Sequence, residues 1–498
     1  MKKLLCSAAV AGLVAVAAAP AMAQGDQSAL KLDLGGYFRG YVVYEDQDSH
    51  RFAEERNVDI IRDTEVHFTG ETTLDNGLTV GVHVEATADR EGMQIDESYL
   101  YTSGSWGRVN FGSEDGTAYL LQVAAPSADS NIDGIRQYVN PVNYSAGSRT
   151  AWATGTTATP FTFANLVGGA YAPINQGLRP ATLGAADADG SGAGTGIYTA
   201  ASNNSTFNFS AANIASDNDS GNTWGRWNGA FLKEDYAQDA TRYADKLTYL
   251  SPVFNGFQAG VSYTPDVASG SLINGGVGSR GLNGVGEDDV VNAFGSAWEL
   301  AARYEGQFDR FGLTLGGGYT HIDLEDEKAA QNSVAANAAV YNGLVRNAFT
   351  DDRDLWNVGA TVAFGGFSFG GLYTHDDRGD ISQDLGLSAS LNAAQQRASY
   401  TTDSDSETWV LGLDYTTGPW KVGASYLNRE VENMGIVYNG AGDAVGYSDL
   451  DTDRYSAGVT YTYGPGMTFR GSVHHIEHEV GSSDMDATSF LLGTQVNF

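Results

Sequence analysis

The chain has 498 residues, 42% of them hydrophobic and 11% aromatic, and a formal net charge of −33. So acidic a surface repels nucleic acid and disfavours docking on anionic lipid, while the apolar and aromatic content is too high for a disordered chain. The only cysteine, Cys6, lies in an N-terminal segment that reads as cleaved. Disulfides, thiolate catalysis and cysteine-based metal centres are therefore excluded from the mature protein.

That first segment, residues 1–23, has Lys2 and Lys3, an apolar run from Leu4 to Ala19, and an Ala21-Met22-Ala23 cleavage site. This is the pattern of a secretory signal peptide, and it leaves 24–498 as one exported domain. Removing the two lysines takes the charge from −33 to −35. After it, no run of 18 apolar residues occurs, so no transmembrane helix is expected.

From there the period is two. Leu30, Leu32, Leu34, Phe38 and Val42 alternate with Lys31, Asp33, Tyr37 and Arg39. Phe257, Ala259, Val261 and Tyr263 alternate with Gln258, Gly260 and Ser262; Trp356 to Phe364 and Phe490 to Phe498 repeat the pattern. One face is mostly apolar and the other mostly polar or glycine, as a half-buried strand requires. Sixteen such segments are predicted: 30–45, 58–74, 78–89, 95–104, 107–115, 244–254, 257–266, 297–309, 311–324, 354–365, 367–377, 407–417, 420–432, 451–463, 467–480 and 486–498.

Their connections alternate in length. Short ones are Asp75-Asn76-Gly77, Asn255-Gly256, Gly365-Gly366, Gly418-Pro419 and Gly464-Pro465-Gly466; long polar ones cover about 115–243, 267–296, 325–353, 378–406 and 433–450. A propeller or sandwich would not sort its loops this way. The short turns carry aromatics: Phe254 and Phe257, Phe308 and Phe311, Phe364 and Phe367, Trp420, Trp106 and Phe111, Tyr463. Repeated at so many tips, they read as a girdle at a membrane–water interface rather than the end of a soluble core. A sheet in lipid must close, and sixteen strands enclose more space than side chains fill. The expected fold is all-β, a 16-stranded antiparallel transmembrane barrel with an aqueous lumen in an outer membrane, with short periplasmic turns and long extracellular loops.

Several stretches resemble a known family. "YLSPVFNGF" (249–257), "LDNGLTVG" (74–81), "GRVNFGSEDG" (107–116) and the terminal "GTQVNF" (493–498) are similar to strands and turns of the trimeric general porins of Gram-negative bacteria. The resemblance implies a homotrimer in outer-membrane lipid and lipopolysaccharide that passes small hydrophilic solutes. It also implies that Val496 and Phe498 form a signal for the outer-membrane assembly machinery, and that the loop after strand five folds inward as a constriction. Here that loop spans about 116–243; it begins near Glu114 and Asp115 and carries Asp129 and Asp133 early on. About 128 residues separate strands five and six, far more than the family's usual length.

By strand parity, the inward basic side chains are Arg39, His67, His83, Arg108, Arg303 and Arg470, near Glu65, Glu85 and Glu305. Facing Glu114, Asp115, Asp129 and Asp133, they would set a transverse field that orients dipolar solutes. No cofactor or metal is expected. In "HHIEHE" (474–479), His475 and His478 point to opposite faces, and His474 and His478 lie ~13 Å apart along a strand. Only His475 and Glu477 are same-face neighbours, and two ligands make no specific site. "DADGSG" (187–192) begins like a calcium loop but has Tyr198 where the closing glutamate belongs. No nucleophile elbow is present, so no hydrolase is expected. The function expected is a channel for ions and small solutes with cation preference. The alternatives are a channel selective for sugars, peptides or organic acids through its third loop, and a barrel plugged by that loop.

Overall fold

The computed structural model of the chain describes residues 30–47, 56–88, 94–130, 134–142, 235–267, 293–325, 346–349, 351–377, 381–384, 399–402, 405–438, 444–480 and 483–498. The segment read as a signal peptide lies outside them. Among the described residues nineteen strands occur in chain order. The first seven are β1 (Lys31–Gln47), β2 (Val58–Thr73), β3 (Thr79–Thr87), β4 (Gln94–Gly104), β5 (Gly107–Ser113), β6 (Asp245–Leu250) and β7 (Phe257–Thr264). There follow β8 (Ala293–Phe308), β9 (Phe311–Glu325), β10 (Arg346–Phe349), β11 (Arg353–Phe364), β12 (Phe367–Asp377), β13 (Ile381–Asp384) and β14 (Ser399–Thr402). The last are β15 (Ser406–Thr417), β16 (Trp420–Tyr438), β17 (Ala444–Gly464), β18 (Met467–Val480) and β19 (Ser483–Asn497).

Sixteen of these close into one antiparallel barrel, each pairing with the barrel strands before and after it in the chain, β9 with β11 and β12 with β15 across the interposed short strands, and β1 with β19. All sixteen predicted segments are there. The other three, β10, β13 and β14, form a small separate sheet inside two long connections, where the polar sequence gave no strand pattern. A second difference is β16–β17, whose hairpin runs on to Tyr438 and restarts at Ala444 instead of opening at 433–450. Ile436, Val437 and Tyr438 favour extended backbone, and the pairing resumes at Gly435↔Ser448 after a bulge.

Seam and turns follow from local sequence. Asn255 (φ 50°) and Gly256 (φ 86°) both adopt positive φ, the twist-matched two-residue hairpin that Asn-Gly predicts. At the seam, Gly36 exchanges backbone hydrogen bonds of 3.1 Å with Phe498, and its φ of 150° suits no side chain. Outward, the turn aromatics stand exposed, with Phe311 over Phe364 (4.7 Å) and Phe367 over Tyr415 (4.4 Å). A second outward ring of Tyr263 and Trp298 (4.3 Å), Trp356 and Tyr373 (5.0 Å), and Trp409 and Tyr426 (4.9 Å) girdles the other end. Trp356 and Phe364 are eight residues apart on β11, about 26 Å along the strand at about 3.3 Å per residue. At a tilt of about 40° that is roughly 20 Å of height, close to the apolar band of an outer-membrane barrel.

Candidate functional site

The inside of the barrel is shaped by the connection after β5. It turns in at Gly116, forms one helical turn, α1 (Thr117–Leu120), and then runs against the wall from β7 to β18. Inward glycines make the track. A Cβ on Gly260 would meet Thr117; on Gly318, Ala118; on Gly316 and Gly359, Val123; on Gly412, Pro126; on Gly423 and Gly458, Ala128. Without side chains there, the loop backbone lies directly on the sheet. The returning limb, residues 235–244, packs over it. Tyr236 sits with Ala125, Ile135, Leu372, Val410 and Leu427 in a dry cluster, and its hydroxyl donates to the Gly134 carbonyl at 2.7 Å. The inward glycines therefore seat a loop, and this side of the lumen is filled by an apolar cluster around Tyr236 and by buried polar groups that bind the loop to the wall.

Charged anchors pin the loop at both ends. Lys246 is buried and donates to the backbone carbonyls of Glu114, Thr241 (2.9 Å) and Ala244 (2.8 Å). Glu114 is buried too, accepting from Asn110 at 2.7 Å; burial pushes its carboxyl above the usual range, opposed by Lys246 and by hydrogen bonds from Thr248 and Asn110. Asp115 accepts from Arg136 at 2.8 Å, and Arg136 also reaches Asp239 at 3.5 Å, so one guanidinium joins the entry, middle and return of the loop. Asp129 lies 3.1 Å from His474 and 3.9 Å from Arg454, with all three side chains buried. Asp133 lies outside the described residues. Each described loop acid thus meets a partner at close range.

The predicted basic residues fall into three environments. Arg39 is buried beneath the loop, its guanidinium 3.5 Å from the Tyr138 ring centre and 3.9 Å from Asp63. Arg303 pairs with Glu305 (2.6 Å) and donates to the Gln122 carbonyl. Arg470, half-buried, donates to Thr468. The strip on β2–β5 stays part-exposed to the lumen. There His67 sits 3.1 Å from Glu65, His83 2.9 Å from Glu85, and Arg108 4.2 Å over the Tyr101 ring, donating to Asn110 at 2.6 Å. Val496 and Phe498 stand on the outward face at the turn end.

Lys246, Arg136, Arg429 and Arg454, which hold the loop, were not among the expected residues, nor was Lys421, paired with Asp414 at 3.2 Å. Parity alone marks Lys246, Arg429, Arg454 and Lys421 as inward; nothing in the sequence marks their loop partners. In "HHIEHE", His474 and His478 point inward and are buried, while His475 points outward beside Glu477 (3.0 Å). Asp486 joins that outward pair from β19. "DADGSG" lies outside the described residues.

The sequence profile of Gram-negative porins matches residues 8–229 and 214–481. An uncharacterised protein of Rickettsia conorii is 25% identical over 301 residues, 54% of this chain and 62% of that protein, so the match covers less than two thirds of its relative. Among solved structures, an anion-selective porin from Comamonas acidovorans has a TM-score of 0.46 and 13% identity, covering 94% of this chain and 100% of that one. The trimer form of OmpT, an outer membrane protein of Vibrio cholerae, gives 0.46 and 11% over 94% and 100% of the two chains.

Proposed function

Because this chain belongs to the Gram-negative porin family and forms an outer-membrane β-barrel channel, we propose that it is a cation-preferring, trimeric pore for ions and small hydrophilic solutes. The observation that carries this reading is the division of the inner wall. The loop packs against β7–β18 through apolar contacts and buried polar pairs and leaves a strip on β2–β5, where Glu65, Glu85, His67, His83, Tyr99 and Arg108 remain part-exposed. Solutes pass along that strip.

Cation preference follows from charge. Arg39 is covered by Tyr138 and faced by Asp63, and Arg303 is tied to Glu305, so two of the wall's arginines contribute little free field. The chain's net charge of −33 concentrates cations at the mouth. Exposed mouth charges are screened over about 8 Å at physiological salt, so the preference should weaken as salt rises. Reversal potentials of the purified protein in a salt gradient across a planar bilayer test this. Cation preference at low salt is expected; anion preference there would show that Arg108 and Arg470 dominate the passage.

The size of the third loop favours a second reading, a channel selective for sugars, peptides or organic acids. Liposome swelling with a graded solute series separates the two. A general pore discriminates by size, and a selective one saturates.

A further inference from the structure

We propose that β2 and β3 build a lumen-facing site for a late first-row dication, best matched by Zn²⁺, on His67 Nδ1, His83 Nε2 and a Glu85 carboxylate oxygen. Their ligand atoms lie within 4.8 Å of one another. His83 Nε2 is 2.9 Å, and His67 Nδ1 3.8 Å, from Glu85 Oε1. Zinc at about 2.1 Å from each of its donors in a tetrahedron places them roughly 3.4 Å apart, between those two distances. Rotamer adjustments of about 0.5 Å for His83–Glu85 and about 0.4 Å for His67–Glu85 bring those two pairs to that spacing.

The register makes the set. His67 is directly opposite Glu85 and Thr69 directly opposite His83 across the β2–β3 ladder, and His83 and Glu85 are same-face neighbours on β3. Each histidine is also held from behind. The second ring nitrogen of His67, Nε2, meets Glu65 at 3.1 Å, and that of His83, Nδ1, meets Thr69 at 2.7 Å. A carboxylate or hydroxyl on the far nitrogen is the arrangement that fixes tautomer and ring plane in metal-binding histidines. Tyr37 edges His67 at 6.0 Å and Tyr99 packs on His83 at 5.3 Å, which restrains both rings further.

The chemistry selects the ion. Two imidazoles with one carboxylate suit zinc, copper and nickel; Mg²⁺ and Ca²⁺ prefer all-oxygen sets. The side chains of His67, His83 and Glu85 keep 27%, 14% and 17% of their surface, so an ion reaches them from the lumen and a water fills the fourth position. Two other His/acid groups occur among the described residues, His321–Asp323–Asp352 and His475–Glu477–Asp486. Each offers a single histidine, and both histidines point outward.

Equilibrium dialysis of the purified, folded protein against ZnCl₂ in excess MgCl₂ tests the site independently of its conductance. One tightly bound Zn²⁺ per chain is expected, lost in H67A/H83A. Glu65→Gln and Thr69→Val, which keep all three ligands, should weaken binding roughly 10- to 100-fold. In planar bilayers, Zn²⁺ should lower single-channel conductance reversibly and a chelator should restore it. The heat-shifted band of a folded barrel qualifies each variant, and E85Q gives the same comparison if H67A/H83A does not assemble. Undiminished stoichiometry in the folded histidine or E85Q variant would place the ion on the outward groups and overturn the proposal. No bound Zn²⁺ in the unaltered protein would do the same.

Discussion

Replacing two track glycines, Gly412→Ala and Gly458→Ala, should lift the third loop from the wall. In each case the new Cβ falls inside 3.0 Å of loop backbone, Pro126 at Gly412 and Ala128 at Gly458, where ordinary contact begins at 3.4 Å. The loop must therefore retreat by more than 0.4 Å at two points only two residues apart, next to the Asp129 clamp on His474 and Arg454. Overpacking of this kind costs about 1–3 kcal/mol per site. That corresponds to a shift of roughly 5- to 150-fold between docked and undocked loop for either site alone. An alanine in a bare strand should instead gain about 0.5–1 kcal/mol over glycine, so the predicted sign is opposite to the intrinsic one. The assay is single-channel recording: open-channel noise and extra conductance levels in the double variant, with faster protease cleavage between 117 and 130. Gly312→Ala is the control, an inward position whose new Cβ meets its nearest neighbours at 3.5 Å, and it should behave as wild type. If the double variant matches Gly312→Ala in noise and cleavage, the loop does not rest on these glycines.

Arg136→Ala removes the guanidinium from the buried Asp115 carboxylate, at a cost of about 3–5 kcal/mol, while Asp239 keeps Arg242 at 3.9 Å; it should show as loop cleavage in a barrel that still migrates as folded. Burial raises the Glu114 carboxyl above its usual range, so the folded state binds that proton more tightly than the unfolded chain. The ionised form is thus a penalty at neutral pH that is relieved as pH falls through the raised value towards the ordinary 4.5. Glu114→Gln should flatten that part of the pH profile of loop opening; an unchanged profile would assign it to another group. Cysteines at positions 190 or 439 should label in intact cells and one at Gly366 should not; the reverse pattern would invert the barrel. Deleting Phe498 should lower the amount of folded barrel in the outer membrane, and wild-type levels would leave it as one more girdle residue.

What the sequence by itself determined is local. Alternation fixed the sixteen strands and the face of each side chain, because lipid on one side and the interior on the other impose a strict period of two. Asn255-Gly256 and Gly365-Gly366 fixed turns, because few residues adopt positive φ at no cost. Parity likewise assigned Arg39, His67, His83 and Arg108 to the interior. The tertiary structure decided what those residues meet. Tyr138 on Arg39, Arg136 on Asp115 and His474 on Asp129 join positions that are distant in sequence, and no period encodes the path of a loop. The inward glycines show the same limit. Their pattern is identical whether they face water or a backbone, and only the closed barrel, by bringing β7 to β18 round one loop, distinguishes a wet wall from a seat.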